Sequence, residues 1–201
     1  MLTVIKVGGS FARSPRLSDI AAALTEGAGR AVVVPGGGPF AACVRREQER
    51  SGYDDRAAHK MALLAMAQFG TVLIARNPRL VPATGMEGIG KAVADRRVPV
   101  WLPLGLLGGH PAIPESWDMT SDSLAAWLTG QLKAERLVFL KRASPRAVTL
   151  KQLVRDGVLD PLVPRFLKGQ VAEAWLCGMR ELSKLGVALA EGKTIGRRIA
   201  A

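Results

Sequence analysis

Two apolar strand-like runs, each followed at once by a glycine-rich turn and a helical pattern, restrict the possible folds of this chain more than any other feature. The run from Leu2 to Val7 leads into the first glycine turn, and the run from Ala31 to Val34 leads into the second. Strand, turn and helix in repeated order are typical of a parallel sheet with helices on both faces. We therefore predict an α/β fold, a three-layer α/β/α sandwich with a mainly parallel central sheet.

The rest of the chain continues this alternation. The segment from Asp55 to about Phe69 is apolar on nearly every side, which predicts a buried helix. Strands are predicted at Val98 to Leu104 and at Arg136 to Lys141, with a helix at Ser121 to Ala134 between them. Since 201 residues suit one hydrophobic core, we expect a single domain over residues 1–201.

Charge and composition limit the possible partners. The chain has 28 Lys and Arg against 17 Asp and Glu, a net charge of +11, which favours an anionic partner but equally fits a solvated basic surface. One Tyr and five Phe leave no basic run interleaved with aromatic side chains, so we expect no nucleic-acid partner. Cys43 and Cys177 are predicted to be buried thiols in a reducing compartment. Without a long apolar window or a leader pattern, we expect no membrane association and a cytoplasmic location.

The glycine turns and two charged residues are the candidate chemical groups. Glycine lets backbone N–H groups approach a phosphate, although such turns need glycine for structural reasons as well. Neither turn matches GxGxxG or GxxxxGK[ST], which disfavours a Rossmann dehydrogenase and a P-loop ATPase. Lys6 is placed to neutralise a phosphoryl group, unless it points to water from an edge strand. Asp122 is either a helix cap or a carboxylate that orients lysines or a nucleotide-bound magnesium ion.

Neither histidine predicts a metal site. His59 lies in the apolar helix, as a packing residue or as a polar contact for an acceptor, and His110 lies in a glycine-containing loop. Neither has Cys, His or Asp partners at metal-ligand spacing. There is also no GxSxG elbow to support a hydrolase triad.

Three ordered segments resemble the amino-acid kinase superfamily, the group of aspartokinase, acetylglutamate kinase, carbamate kinase and uridylate kinase. They are VIKVGGS at 4–10, VVVPGGG at 32–38 and TSDSLAA at 120–126. Finer stretches at 57–66, 114–127 and 157–161 look like the small aspartokinase-like kinases of methanofuran and tetrahydromethanopterin cofactor synthesis. The archaeal members of that group are similar to an aminomethyl-furan-methanol phosphate kinase, which transfers the γ-phosphoryl group of ATP to a phosphate monoester.

The resemblance implies a role for each motif. Lys6 would bridge the γ-phosphate and the acceptor, and Asp122 would orient the catalytic lysines. The residues implied for the phosphate path and the nucleotide are Gly8, Gly9, Ser10, Lys141 and Arg142. The residues implied for the acceptor or the transferring group are Gly36, Gly37, Gly38, His59, Trp117 and Asp118. Asp118 or Asp54 would pair with the aminomethyl group, and Mg²⁺ would be bound through the ATP phosphates rather than by the protein.

Two departures from the family pattern affect these roles. The Gly-Gly-Met segment that supplies a second lysine in many members is only faintly matched at 178–180, and residues 139–144 replace the familiar acidic stretch. Lys141 is therefore implied as the source of the missing charge. The resemblance also implies a homo-oligomer. Two alternatives remain open at this point, a carboxylate or carbamate kinase that forms an acyl phosphate and a non-catalytic nucleotide- or anion-binding protein of the same fold.

Overall fold

A computed structural model describes residues 1–142 and 149–200, and the strands within them form one sheet. The strands are β1 Thr3–Val7, β2 Ala31–Pro35, β3 Leu80–Ala83, β4 Val98–Trp101, β5 Arg136–Leu140, β6 Glu173–Cys177 and β7 Arg197–Arg198. Their order across the sheet is β3-β4-β2-β1-β5-β6-β7. All neighbours pair in parallel except β7, which runs antiparallel to β6.

Helices cover both faces of this sheet. They are α1 Leu17–Thr25, α2 Gly38–Ser51, α3 Asp55–Ile74, α4 Met86–Ala94, α5 Ser121–Gln131, α6 Leu150–Arg155, α7 Val163–Leu167 and α8 Leu182–Ala190. Alternate residues of β1 enter different apolar clusters, because successive side chains of a strand point to opposite faces. Val4 packs in the cluster that contains α5, and Ile5 packs in the cluster that contains α1 and α8. The predicted three-layer sandwich with a mainly parallel sheet is confirmed.

The sequence did not predict the short edge strand β3 or the helix α4 that follows it. Pro82 lies within β3, and proline in a short run argues against a strand because it cannot donate a ladder hydrogen bond. An edge position tolerates proline, and β3 lies at the edge of the sheet. The helix α3 also extends beyond its predicted end to Ile74, so residues 71–74 are helical.

Two predictions of burial are wrong in part. On α3, Leu63 and Phe69 are buried, but Met61 and Leu64 are 37% and 43% exposed. Of the described helices, α3 is the one long and apolar enough to cross a membrane by length and composition, and half of the relevant window is buried in the fold. Cys177 is buried and free as expected, whereas Cys43 is exposed on α2, a helix in which only Val44 is buried.

The register of the central strands determines what meets at one edge of the sheet. Val7 at the end of β1 pairs with Pro35 of β2 and with Leu140 of β5. The next residue after each of these strands is Gly8, Gly36 or Lys141. The first glycine turn, the second glycine turn and Lys141 therefore lie side by side at the carboxyl edge, where open α/β sheets bind ligands.

Candidate functional site

Three charged side chains form a compact buried group at this edge, which we call the lysine–aspartate cluster: Lys6, Asp122 and Lys141. Lys6 Nζ lies 2.7 Å from Asp122 Oδ1, and Lys141 Nζ lies 2.6 Å from Asp122 Oδ2. The side chains of Lys6 and Asp122 are only 5% and 4% exposed, and that of Lys141 is 17% exposed. One carboxylate thus holds two ammonium groups, and the cluster has a net positive charge when both lysines are protonated.

Burial and charge act in opposite directions on the pKa values within the cluster. Burial alone raises the pKa of the Asp122 carboxyl, but the charges of Lys6 and Lys141 outweigh it and hold this pKa below its usual value. Burial, followed by the charge of Lys6, lowers the pKa of Lys141 to about 8, while Asp122 opposes that change. Asp122 is therefore ionised near neutral pH, and Lys141 loses its proton at a much lower pH than an ordinary lysine.

Asp122 lies in the first turn of α5, but its carboxylate does not cap that helix. The N-cap residue is Thr120, and its side chain makes no capping bond to the helix. The backbone N–H groups of Asp122 and Ser123 instead donate to Asp160 Oδ2 at 3.1 and 3.0 Å, and Thr120 Oγ1 donates to the same oxygen at 2.7 Å. The helix-cap interpretation of Asp122 is therefore wrong, and a carboxylate from a distant loop does the capping.

The two glycine turns pack directly against each other. A Cβ atom on Gly9 would lie 2.3 Å from the backbone nitrogen of Gly38, and one on Gly36 would lie 2.5 Å from that of Gly9. The N–H groups of Gly8 and Gly36 donate to the carbonyl oxygens of Leu140 and Val7, so these two amides belong to the backbone network around the sheet. Gly9, Gly37 and Gly38 instead line an open cleft at this edge of the sheet.

We expect Gly36→Ala to destabilise the protein by about 1–3 kcal/mol, because the new methyl group collides with backbone that cannot rotate away. Gly90→Ala is the matched control, since Gly90 lies on α4 with nothing within 4 Å of its Cβ position. That change should stabilise the protein by about 0.5–1 kcal/mol. Urea unfolding measures both, and equal stability of Gly36→Ala and the parent protein would show that the turns separate easily.

A cleft of about 470 Å³ opens over the glycine turns. Ser10, Arg13, Ser121 and Arg142 line it together with the backbone of Gly9 and of the second turn. Within the described residues, neither Arg13 nor Arg142 has a carboxylate partner. The cleft thus offers backbone amides, hydroxyls and two guanidinium groups, a set of donors that fits the phosphates of a nucleotide. Arg13 is an addition to the residues that the sequence predicted.

A smaller pocket of about 100 Å³ adjoins the cleft, since Gly37 and Ser121 line both. His59 and Trp117 contribute to its wall, with Arg45 and several apolar side chains. The Arg45 guanidinium lies 4.2 Å from the centre of the Trp117 ring, and Trp117 Nε1 donates to Gln48 Oε1 at 2.6 Å. Both contacts hold the indole in place and give the pocket one flat aromatic side and one cation.

His59 is buried in this pocket wall, 4% exposed. Burial lowers the pKa of its imidazole, and the Ser116 carbonyl group and the Glu115 charge oppose that change. His59 is therefore a neutral polar contact near neutral pH. No group of three or more His, Cys, Asp and Glu side chains within residues 1–142 and 149–200 could hold a metal ion.

Two carboxylates proposed for the acceptor lie elsewhere. Asp118 is exposed and does not line the pocket. Asp54 is the N-cap of α3 and accepts a hydrogen bond from the Ala57 backbone N–H at 2.7 Å. The end of the segment that replaces the family's acidic stretch, residues 143 and 144, lies outside the described residues.

The fold and the first part of the sequence are similar to those of known proteins. Residues 1–88 match the model of the amino acid kinase family. The match spans less than half of the chain, and together with the fold it supports the predicted class of enzyme, a phosphotransferase.

Three individual proteins that are similar to this chain share 25% or less of its sequence. A [5-(aminomethyl)furan-3-yl]methyl phosphate kinase of Methanocaldococcus jannaschii is 25% identical over 137 residues, which cover 67% of this chain and 63% of that protein. The structure of a uridylate kinase from Archaeoglobus fulgidus covers the whole chain with a TM-score of 0.75 at 19% identity, and this chain covers all of it. An aspartate kinase from Synechocystis has a TM-score of 0.66 at 15% identity over 88% of this chain and 37% of its own. These structural matches show the shared fold.

Proposed function

We propose that this chain is an ATP-dependent kinase that transfers the γ-phosphoryl group to a small phosphate monoester and yields a diphosphate. The proposed acceptor is [5-(aminomethyl)furan-3-yl]methyl phosphate, an intermediate of methanofuran-type C1 cofactor synthesis. The observation that carries the proposal is the buried lysine–aspartate cluster. Its Asp122 directly follows Ser121, and Ser121 lines both the cleft and the pocket. Two adjoining cavities with cations next to them suit a reaction that joins two anions.

The cluster supplies what phosphoryl transfer requires from a protein, which is positioned positive charge. Lys6 and Lys141 would stabilise the charge on the transferring group, and Asp122 keeps both ammonium groups at fixed positions. Bound Mg-ATP would supply the phosphoryl group, and Gly9, Ser10, Arg13 and Arg142 fit its phosphates. An acceptor that is already a phosphate anion needs no general base.

The dimensions of the pocket support a small flat acceptor. About 100 Å³ suits one five-membered ring against the fixed indole of Trp117, with its anionic group towards Arg45 and the second glycine turn. The aminomethyl group needs a negative partner, and Glu115 replaces Asp118 and Asp54 in that role. Glu115 does not line the pocket itself, but its charge acts on His59 in the pocket wall. Its Oε2 pairs with Arg56 at 2.9 Å, and its Oε1 is buried without a hydrogen-bond partner among the described residues.

We expect Arg45→Gln to raise the KM of the acceptor about tenfold or more with little change in kcat. The guanidinium would bind the acceptor equally well in the ground state and in the transition state. Its loss therefore weakens acceptor binding without slowing the chemical step. Steady-state kinetics with varied acceptor at saturating Mg-ATP measures the effect. Arg46→Gln is the control, since Arg46 is exposed on the same helix and does not line the pocket. A fall in kcat at unchanged KM would contradict this role for Arg45.

The proposed function is tested by incubating the protein with Mg-ATP and the furan phosphate and following the reaction by phosphorus NMR. Paired diphosphate doublets of a new product are expected. A product that hydroxylamine traps would instead identify an acyl phosphate and a carboxylate or carbamate kinase. Binding of ATP without turnover of any acceptor would favour a non-catalytic nucleotide-binding protein.

The proposal includes a homo-oligomer in the cytoplasm. Exposed Met61 and Leu64 on α3 support an apolar contact between copies of the chain, because large apolar side chains are less costly when covered. The excess of positive charge would attract ATP and a phosphorylated acceptor towards such an assembly. Light scattering on the purified protein decides the oligomeric state.

A further inference from the structure

Asp160 connects a distant part of the chain to the lysine–aspartate cluster. It lies in the loop between α6 and α7, 38 residues beyond Asp122, and one of its oxygens accepts three hydrogen bonds at the start of α5. The neighbouring side chains of Leu159 and Val163 are buried in the core on the α5 side of the sheet. The carboxylate is therefore held firmly, and it holds the helical turn that carries Asp122.

We propose that Asp160 is a positioning residue for the lysine–aspartate cluster, which fixes the turn that carries Asp122 and supplies a second negative charge that acts on Lys141. This inference rests on the proposed function for its catalytic meaning. Its physical content, a carboxylate that sets the position and charge state of the cluster, can be measured without any acceptor.

The electrostatic environment supports a role beyond capping. The described charged groups that act on Lys141 are Lys6 from β1, Asp122 from α5 and Asp160 from the loop after α6. Burial and then the Asp122 charge raise the pKa of the Asp160 carboxyl, whereas its bond from Thr120 and the charge of Lys6 lower it. The negative charge of Asp160 in turn raises the pKa of Lys141, against the larger effect of burial.

Replacing Asp160 by a neutral side chain separates the effect of its charge from the effect of its hydrogen bonds to the start of α5. In Asp160→Asn the amide oxygen still accepts from the backbone N–H groups at residues 122 and 123, but the negative charge is gone. Asp160→Glu retains the charge and displaces the anchor by one methylene group. Asp156→Asn is the matched control, because Asp156 lies on the exposed end of the same segment and pairs with Arg155.

The readout is the pH dependence of Lys141 acylation by acetic anhydride, measured by mass spectrometry of the peptide from about pH 6 to about pH 10. Only the neutral amine reacts, so the midpoint reports the loss of the proton. We expect a midpoint near pH 8 in the parent protein and in Asp156→Asn. In Asp160→Asn it should fall by about 1 pH unit, because the ammonium form loses a favourable charge. The alkaline fall in kcat/KM for ATP should move to lower pH by the same amount.

The outcomes separate the two proposals. An unchanged midpoint in folded Asp160→Asn would overturn the inference and leave Asp160 as a helix cap. A parent-like kcat in Asp160→Glu would overturn its positioning role, since we expect kcat to fall there while the midpoint stays near its parent value. If the midpoint moves as expected but no acceptor is phosphorylated, the effect on the cluster stands and the proposed function fails.

Discussion

Lys6→Met should lower kcat by about a hundredfold or more while the protein remains folded. Lys6 Nζ is one of two cations held by Asp122, and it lies at the carboxyl end of the central strand beside the glycine turns. Methionine fills a similar volume, and the contact between Asp122 and Lys141 remains. The variant therefore loses a positive charge at the reacting group without leaving the carboxylate unpaired. Initial rates at saturating substrates and a thermal melt measure the two properties separately.

Lys91→Met is the control for this experiment. Lys91 is a lysine on the surface of α4, 80% exposed, with only a long contact of 3.8 Å to Asp95. Its replacement should change neither kcat nor the melting temperature beyond experimental error. Near-normal turnover in folded Lys6→Met would remove Lys6 from the catalytic machinery.

Asp122→Asn should lower both stability and activity. The Asp122 carboxylate is only 4% exposed and lies between two ammonium groups. Removing one partner of a buried ionic group costs about 3–5 kcal/mol. We expect kcat to fall at least about tenfold, since neither lysine keeps its position.

The loss of stability in this variant should be larger at acid pH than at alkaline pH. Lys141 already has a pKa lowered to about 8, and Asp122 is a group that raises it. Without Asp122 this pKa falls further, so the folded state releases the Lys141 proton at a lower pH than the unfolded chain does. Between these two pKa values the unfolded state binds more protons, and stability rises with pH.

Urea unfolding at about pH 6 and about pH 9 tests this pH dependence. Asp95→Asn serves as the control, because Asp95 pairs with Lys91 on the surface of α4. A small loss of stability for Asp122→Asn at both pH values would show that the cluster tolerates two unpaired cations.

Local patterns allowed the sequence to predict the centre of this fold. A β-branched run that ends in glycine indicates both a strand and the turn that follows it, so β1, β2 and their turns could be found without the structure. The register of adjacent strands then places Lys6 near the second turn. The edge strand β3 was not predicted, because it is a run of only four residues that includes a proline.

The contacts that complete the site join residues far apart in the chain, and no local pattern predicts them. The bonds from residues 120, 122 and 123 to Asp160 span about forty positions. The indole of Trp117, which lies in the loop before α5, is fixed by Gln48 and Arg45 of α2. The sequence also cannot distinguish between two roles of a single residue. A carboxylate before a helix, such as that of Asp54, can cap the helix or bind a ligand, and in the structure Asp54 is a cap.

The position of β1 between β2 and β5 has a consequence for the order of assembly during synthesis. β1 leaves the ribosome before β2 and β5 do, so it can pair with β2 early, but its other edge stays open until residues 136–140 have been made. The other residues of the charged site, Asp122, Lys141 and the anchoring Asp160, also follow Lys6 by more than 100 positions, so the site forms only after they have been made. Such long-range pairing is slow compared with local helix formation. A partly synthesised chain can therefore contain both glycine turns and still lack the charged centre, which forms only after β5 has paired with β1.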